Sequence, residues 1–145
     1  LNITIETLRI YNMKQRKYLP TISDLIDRLS IIQLKEVFIS EHKAEYVDEI
    51  QDIVEDLEEL MRREKPTGEM IRAIIVLAQM NTHIWYNESN FRAGKGEGNL
   101  ELTHGLNGIR NTAKNKIQKN LVEGGRKDYK IDCLAAEFKD WEISW

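Results

Sequence analysis

The segment Asp24–Phe38, DLIDRLSIIQLKEVF, decides the fold that we expect for this chain. Its apolar residues cover most of the circumference of a helical projection, which is typical of a helix in the middle of a bundle. Pro20 precedes the segment, and Thr21 or Ser23 can cap the first turn. The sequence therefore predicts a central helix with other helices packed around it.

One narrow polar strip runs along this predicted helix. Asp24, Arg28 and Lys35 share the strip, and Asp27 lies at its border. Asp24 and Arg28 stand four residues apart, so the simplest interpretation of their charges is an ion pair on the helix surface.

The spacing of apolar residues predicts three further helices, and glycine and proline residues mark the breaks between them. Their predicted ranges are Ala44–Glu64, Glu69–Arg92 and Leu100–Leu121. The Ala44–Glu64 segment has an apolar stripe at three-and-four spacing and acidic residues on its other faces. Such acidic runs are usually solvated surface, which we prefer here to a cluster of metal-binding carboxylates.

We therefore expect an all-α protein, an antiparallel helical bundle of about four main helices. Residues 1–145 form a single helical domain, with the core at about 21–121. The N-terminal segment is predicted to be irregular or arm-like, and NITIETLRI shows some period-two alternation. The C-terminal segment at about 126–145 is expected to be either a short helix or an arm that packs back through Phe138, Trp141 and Trp145.

The amino-acid composition of the chain restricts the kinds of partner that we expect it to bind. The net charge of this 145-residue chain is -3 with 31% charged residues, which argues against nucleic acid because its binders usually carry a basic patch. The longest apolar run, Ile74–Ala78, is far too short to cross a bilayer. The single Cys133 and the lack of a charged-then-apolar leader favour a cytoplasmic location.

Polar residues interrupt a core stripe in the stretch Met80–Arg92, MNTHIWYNESNFR. The stripe of Met70, Ile74, Leu77 and Ala78 continues, at one hundred degrees per residue, into Asn81, Trp85, Glu88 and Arg92. The predicted solvent face instead contains Arg72, Gln79, His83 and Asn90. Because an unpaired buried charge is costly, the polar residues of the stripe need partners from another helix or from a ligand.

The last predicted helix offers such partners on one polar arc. The arc consists of His104, Asn107, Arg110, Asn111 and Lys114. A short connection makes the last two helices antiparallel neighbours, which puts His104 near the level of Glu88, Asn107 near Trp85 and Asn111 near Asn81. The arc lies opposite the apolar face of its own helix. Residues at the same height along the bundle therefore need not point at each other.

Three blocks of the chain together resemble a group of uncharacterised bacterial and phage helical families. The blocks are TISDLIDRLSIIQLK, NTHIWYNESNFR and LNGIRNTAKNKI, which span Thr21–Ile117. The resemblance implies an all-helical fold, and position by position it marks Asp27, Lys35, Asn81, Trp85, Glu88, Arg92, Asn107, Arg110 and Lys114. Asp24 departs from the Glu of these families, and Ser89 replaces their common acidic residue.

These observations favour a small anionic ligand, such as a nucleotide or sugar phosphate, bound at one end of the bundle. Arginine and lysine suit phosphate, amides both donate and accept, and tryptophan offers a flat face. The candidate ligand-binding residues are Asp27, Lys35, Asn81, Trp85, Glu88, Arg92, Asn107, Arg110, Asn111 and Lys114. In this interpretation Asn81, Trp85, Glu88 and Arg92 meet Arg110 or Asn111, and Lys35 or Asp27, at the loop end.

Two interpretations from other classes stay open. In the first, the protein is a non-enzymatic helical assembly module, the polar cluster is a structural network, and the acidic Ala44–Glu64 helix or the aromatic C-terminal segment mediates assembly. The apolar stripe of Tyr46–Met61 and the aromatic C-terminal segment separately predict self-association as a homodimer. In the second, it is a metal-dependent nucleotide pyrophosphohydrolase, for which Glu88 lacks a paired carboxylate. The sequence contains no catalytic constellation and no zinc-binding spacing, so we predict no metal site and name no cofactor or catalytic residue.

Overall fold

The computed structural model describes residues 4–15, 19–94, 100–122 and 143–145, and its architecture is all-α. The described residues form five helices: α1 (Ile5–Gln15), α2 (Ile22–Phe38), α3 (Lys43–Leu60), α4 (Gly68–Arg92) and α5 (Leu100–Lys119). The four main helices confirm the predicted bundle. A fifth helix, α1, stands where we expected an irregular N-terminal segment, and its first turn is capped by Thr4, whose Oγ1 accepts from the Thr7 amide at 3.1 Å.

Helix α2 is central, as its all-round apolar surface predicts. It packs against α3, α4 and α5, while α4 and α5 share the most extensive helix pair. Ile22 and Ile32 are fully buried, and Leu25 and Leu29 are half-buried. The far end of α2 is different, because Val37 and Phe38 are 65% and 52% exposed.

A capping box begins α2 at the position that the sequence suggests. Thr21 Oγ1 accepts from the Asp24 amide at 3.1 Å, and the Asp24 carboxylate accepts from the Thr21 amide at 3.2 Å. Two of the orphan amides of the first turn are thereby satisfied. Thr67 caps α4 in a similar way, and Gly94, with φ of 66°, follows the end of α4 in a left-handed conformation that glycine adopts without strain.

Helices α4 and α5 run antiparallel. At one end Lys116 Nζ lies 3.1 Å from a Glu69 carboxylate oxygen, and at the other Asn87 Nδ2 donates to Thr103 Oγ1. The core lies between these helices and the start of α2. Its buried residues are Ile22, Met70, Ala73, Val76, Leu77, Met80, Leu106, Ala113, Ile117 and Leu121. Each large apolar side chain buried here contributes roughly 1.5–3 kcal/mol.

The acidic side of α3 behaves largely as predicted. Glu45, Asp48, Asp52 and Glu58 are exposed, which agrees with a solvated surface. Other acids of α3 pair with arginines of neighbouring segments: Arg9 of α1 reaches Asp56 at 2.8 Å and Glu55 at 3.3 Å. Helix α1 is thus attached to α3 through surface ion pairs.

The described C-terminal residues lie against the α4 and α5 ends. Ile143 packs on the core, and the Trp145 ring lies 5.8 Å from the Arg72 guanidinium and 5.2 Å from Lys116 Nζ. Trp145 therefore contacts α4 and α5, whereas Phe138 and Trp141 of the predicted C-terminal segment lie outside the described residues. In the part of the chain that is described, no helix has the length and apolarity that crossing a membrane requires.

Candidate functional site

Asp27 is the centre of the polar chemistry in this bundle. It lies in the second turn of α2 on the side that faces α4 and α5, and its side chain is only 8% exposed. Arg110 of α5 binds it with two nitrogens: Nε donates to Oδ1 at 2.9 Å and Nη2 to Oδ2 at 2.5 Å. This bidentate geometry is the strongest that a carboxylate and a guanidinium form.

Two more side chains share the Asp27 carboxylate. Asn81 of α4 donates from Nδ2 to Asp27 Oδ1 at 2.8 Å and to Ser30 Oγ at 2.6 Å. Lys114 of α5 donates from Nζ to Asp24 Oδ1 at 2.8 Å and to Asp27 Oδ2 at 3.3 Å. Three helices therefore meet at one carboxylate.

We call this group of seven residues the Asp27 network. Its members are Asp24, Asp27, Ser30, Asn81, Asn107, Arg110 and Lys114. Asn107 belongs to it because its side-chain oxygen accepts from Arg110 Nη1 at 2.9 Å. Two carboxylates face two cations, so the formal charges of the network cancel.

The network keeps both carboxyl groups ionised. Burial raises the pKa of Asp24, but the hydrogen bonds from Lys114 and Thr21 outweigh burial and lower that pKa from 3.8 to about 2. Burial likewise acts to raise the pKa of Asp27, and the Arg110 hydrogen bond and charge, with help from Asn81 and Lys114, bring it below the ordinary value. Opposite charges and donors at short range have this effect on an acid.

A smaller polar group joins α2 to the end of α5. The Ser23 amide donates to Gln118 Oε1 at 3.0 Å, and Ser23 Oγ lies 3.1 Å from Thr21 Oγ1. Thr21, Ser23 and Gln118 are all buried. The first turn of α2 is thereby fixed to α5 at two levels, by Gln118 and by Lys114.

The structure brings together half of the ten candidate residues. Asp27, Asn81, Asn107, Arg110 and Lys114 form the network as a single contact group. Trp85 and Asn111 are half-buried. Lys35 is half-buried too, but its ammonium group lies over the Tyr46 ring, 5.9 Å from the centroid.

The expected positions of Glu88 and Arg92 are wrong, because both side chains are exposed. They lie in the last two turns of α4, near the ends of the described segments 19–94 and 100–122. The stripe does continue through Asn81, which is 5% exposed, and then ends. The solvent face is confirmed by the exposure of Arg72, Gln79, His83 and Asn90.

The structure also corrects the predicted position of the polar cluster and the predicted ion pair between Asp24 and Arg28. The network lies midway along α4 and α5, at Asn81 and Arg110, and not at the loop end. Arg28 does not form the suggested surface pair with Asp24; its Nε donates to Glu49 of α3 at 2.8 Å. Asp27, expected at the border of the polar strip, is instead the most enclosed carboxylate of the network.

Asp24, Ser30 and Gln118 were absent from the sequence-based candidates. Asp24 and Ser30 stand three residues before and after Asp27, so helical spacing places all three on one face. Helical spacing could therefore have identified Asp24 and Ser30 from the sequence. Gln118 carries no signal of its own, because a lone glutamine near a helix end is usually solvated.

Within the described residues, no group of three or more His, Cys, Asp or Glu side chains is arranged to hold a metal ion. Comparisons of the whole chain with known protein families, with curated proteins and with solved structures found no match. The resemblance carried by the three sequence blocks therefore stays a prediction.

Proposed function

We propose that this protein is a non-enzymatic helical interaction module, which acts by binding another protein chain. In this proposal the Asp27 network belongs to the fold: it fixes how α2, α4 and α5 pack, and it leaves the outer faces of the helices to make contacts. The function is then a property of the surface that the bundle presents.

The observation that carries the proposal is that both cations of the network already face its two carboxylates. All three guanidinium nitrogens of Arg110 donate within it, to Asp27 and to Asn107, and Lys114 bridges Asp24 and Asp27. Among the described residues, no buried side-chain nitrogen or oxygen lacks a hydrogen-bond partner. An anionic ligand would therefore have to displace a carboxylate that already neutralises the cations.

A buried ion network can specify the register of neighbouring helices. Sliding α5 by one turn would move Arg110 about 5.4 Å from Asp27 and leave a buried carboxylate without its partner. Breaking such a buried pair costs about 3–5 kcal/mol, although the intact pair adds little stability compared with apolar residues. We infer that the network selects one packing arrangement more than it strengthens the bundle.

Binding of a small anion at Arg110 is a second candidate function. The observation that favours it is that the Arg110 side chain is 23% exposed, beside the half-buried Asn107 and Asn111. An anion at this edge would share Arg110 with Asp27, so it would compete with a bidentate pair already in place.

A thermal-shift screen separates the two functions. Inorganic phosphate, nucleotides, sugar phosphates and divalent cations are added to the wild-type protein and to Arg110→Gln. If the network is structural, Arg110→Gln lowers the melting temperature and none of the compounds raises the melting temperature of either protein. A phosphate compound that stabilises the wild type but not Arg110→Gln would overturn the proposal in favour of the anion site.

A further inference from the structure

The outward side of α4 presents an apolar surface. Ile71, Ile75 and Tyr86 are 52%, 53% and 48% exposed, and the half-buried Ala78 and Thr82 lie between them. We call these five residues the α4 outer face. It lies opposite the buried side of the helix, which packs against α2 and α5.

The central part of α4 carries no formal charge over fifteen residues, from Ala73 to Asn87, in a chain that is 31% charged. Arg72 is the charged residue that borders the α4 outer face, whereas the exposed side of α3 is rich in Asp and Glu. Exposed helix faces are normally charged, and the depletion of charge distinguishes the cores of protein interfaces. The composition of the α4 outer face is therefore that of a contact surface.

We propose that a second copy of this chain occupies the α4 outer face, with the two α4 helices antiparallel around a twofold axis at the level of Met80. This inference rests on the proposed interaction function and names its partner. The first four residues of the face follow one another at intervals of four, three and four, which is the spacing of a helix pair. Tyr86 comes one turn later.

The order of side-chain sizes along the face fits its own copy. Large residues stand at both ends and small residues, Ala78 and Thr82, stand in the middle. An antiparallel pair around Met80 places Ala78 beside Thr82 of the second copy and Ile75 beside its Tyr86. Small residues at the crossing let two helices approach closely, and a twofold contact must be self-complementary in this way.

The charges are compatible with this pairing. The two copies of Arg72 are separated by sixteen residues along the pair, about 24 Å, so they do not repel at contact distance. Arg72 already donates to Ser144 and lies over the Trp145 ring of its own chain, so it brings no unpartnered charge to the contact. Phe38, which packs edge-on against Tyr86 at 5.8 Å between centroids, extends the apolar surface onto α2.

The length of the face sets the expected strength. From Ile71 to Tyr86 the face is about 22 Å long, which is short compared with the surface that a standard interface of about 800 Å² per partner needs. We therefore expect a reversible dimer whose population rises with protein concentration.

Sedimentation velocity of the full chain over a hundredfold range of concentration tests the dimer. The wild type is expected to shift from monomer to dimer, Ile75→Lys to stay monomeric, and the control Val47→Lys, at a 43% exposed valine of α3, to behave as the wild type. Because Ile75 is exposed, circular dichroism of Ile75→Lys should match the wild type. A wild type that stays monomeric, or an Ile75→Lys variant that still dimerises, overturns the proposal.

Cysteine cross-linking tests the antiparallel arrangement in a Cys133→Ser background. Ala78→Cys mixed with Thr82→Cys should form a disulfide-linked dimer, whereas Ile71→Cys alone should not, because the two copies of Ile71 are far apart in this pair. Cross-linking of Ile71→Cys alone would show that the two helices are parallel and would contradict the proposed antiparallel arrangement. A monomeric protein in which Arg110→Gln still lowers the melting temperature would remove the dimer and leave the proposed function standing.

Discussion

Lys114 shows, at the scale of one residue, how the bundle tolerates buried charge. Its side chain is 6% exposed, and an ammonium group at such a site is costly unless it is paired. Two carboxylates one turn apart on α2 supply the partners, because Nζ lies between Asp24 and Asp27. The same contact helps to lower the pKa of Asp24.

Acid should therefore weaken the bundle through this pair. The folded-state pKa of Asp24 is about 2 against an ordinary value of 3.8, so its contribution is complete above the ordinary value and is lost as pH falls towards 2. Asp27, whose pKa is also lowered, acts in the same direction. We expect the urea midpoint to be level at neutral pH and to fall steeply below about pH 4.

The variant Lys114→Met is the matched test of that pH dependence. Removing the ammonium group removes a cause of the low Asp24 pKa, so the urea midpoint of the variant should be lower at neutral pH and should change less between pH 5 and pH 2. A urea midpoint that falls with pH as steeply in Lys114→Met as in the wild type would show that other carboxylates control acid unfolding.

At the scale of the helix, the first turn of α2 controls the geometry of the network. Thr21 begins the helix, Asp24 closes the capping box and also binds Lys114, and Asp27 follows one turn later. A shift of the helix start would therefore move both carboxylates relative to α5. The N-cap and the ion pairs with α5 therefore both specify the same starting residue for α2.

Thr21→Ala should lower the free energy of unfolding by about 0.5–2 kcal/mol, the usual cost of losing an N-cap side chain. Thr4→Ala is the matched control, because Thr4 Oγ1 makes the same contact in α1, which is held to α3 by surface ion pairs. Urea denaturation should show a clear loss for Thr21→Ala and a smaller one for Thr4→Ala. Equal losses would mean that α1 is as integral to the bundle as α2.

Helix periodicity predicted the bundle well because α2 to α5 each carry an apolar stripe, and because proline or glycine residues separate α3 from α4 and α4 from α5. It also placed Asn81 on the buried side of α4. It failed for Glu88 and Arg92, since period alone does not say where the neighbouring helix ends. It also left open whether the α5 polar arc faces outward, because α5 packs on two sides: its apolar side on α4 and Arg110 and Lys114 against α2.

At the scale of the whole molecule, the five helices differ in how firmly they are held. Helices α2, α4 and α5 share the buried core and the Asp27 network. Among the described side chains of α1, Arg9 and Glu6 attach the helix through exposed ion pairs, the second of them the Arg62–Glu6 contact of 3.0 Å. Surface ion pairs contribute little to stability and are screened by salt.

Hydrogen exchange should reveal this order directly. Amides of α1 are expected to exchange first and to exchange faster in high salt, whereas those of α2, α4 and α5 around the core should exchange last and together. The comparison is made residue by residue by NMR at two salt concentrations. Protection of α1 equal to that of α4, and unchanged by salt, would contradict this view of the molecule.

The free energy of unfolding of Asp27→Asn tests most directly the claim that the Asp27 network serves the fold. The change keeps the size of the side chain and removes the charge that faces Arg110 and Lys114, so we expect a loss of about 3–5 kcal/mol in urea denaturation. Glu88→Gln, the same chemical change at an exposed acid of α4, should leave stability unchanged. An Asp27→Asn variant as stable as the wild type, or more stable, would contradict the claim, because residues that folding would rather lose are kept for function.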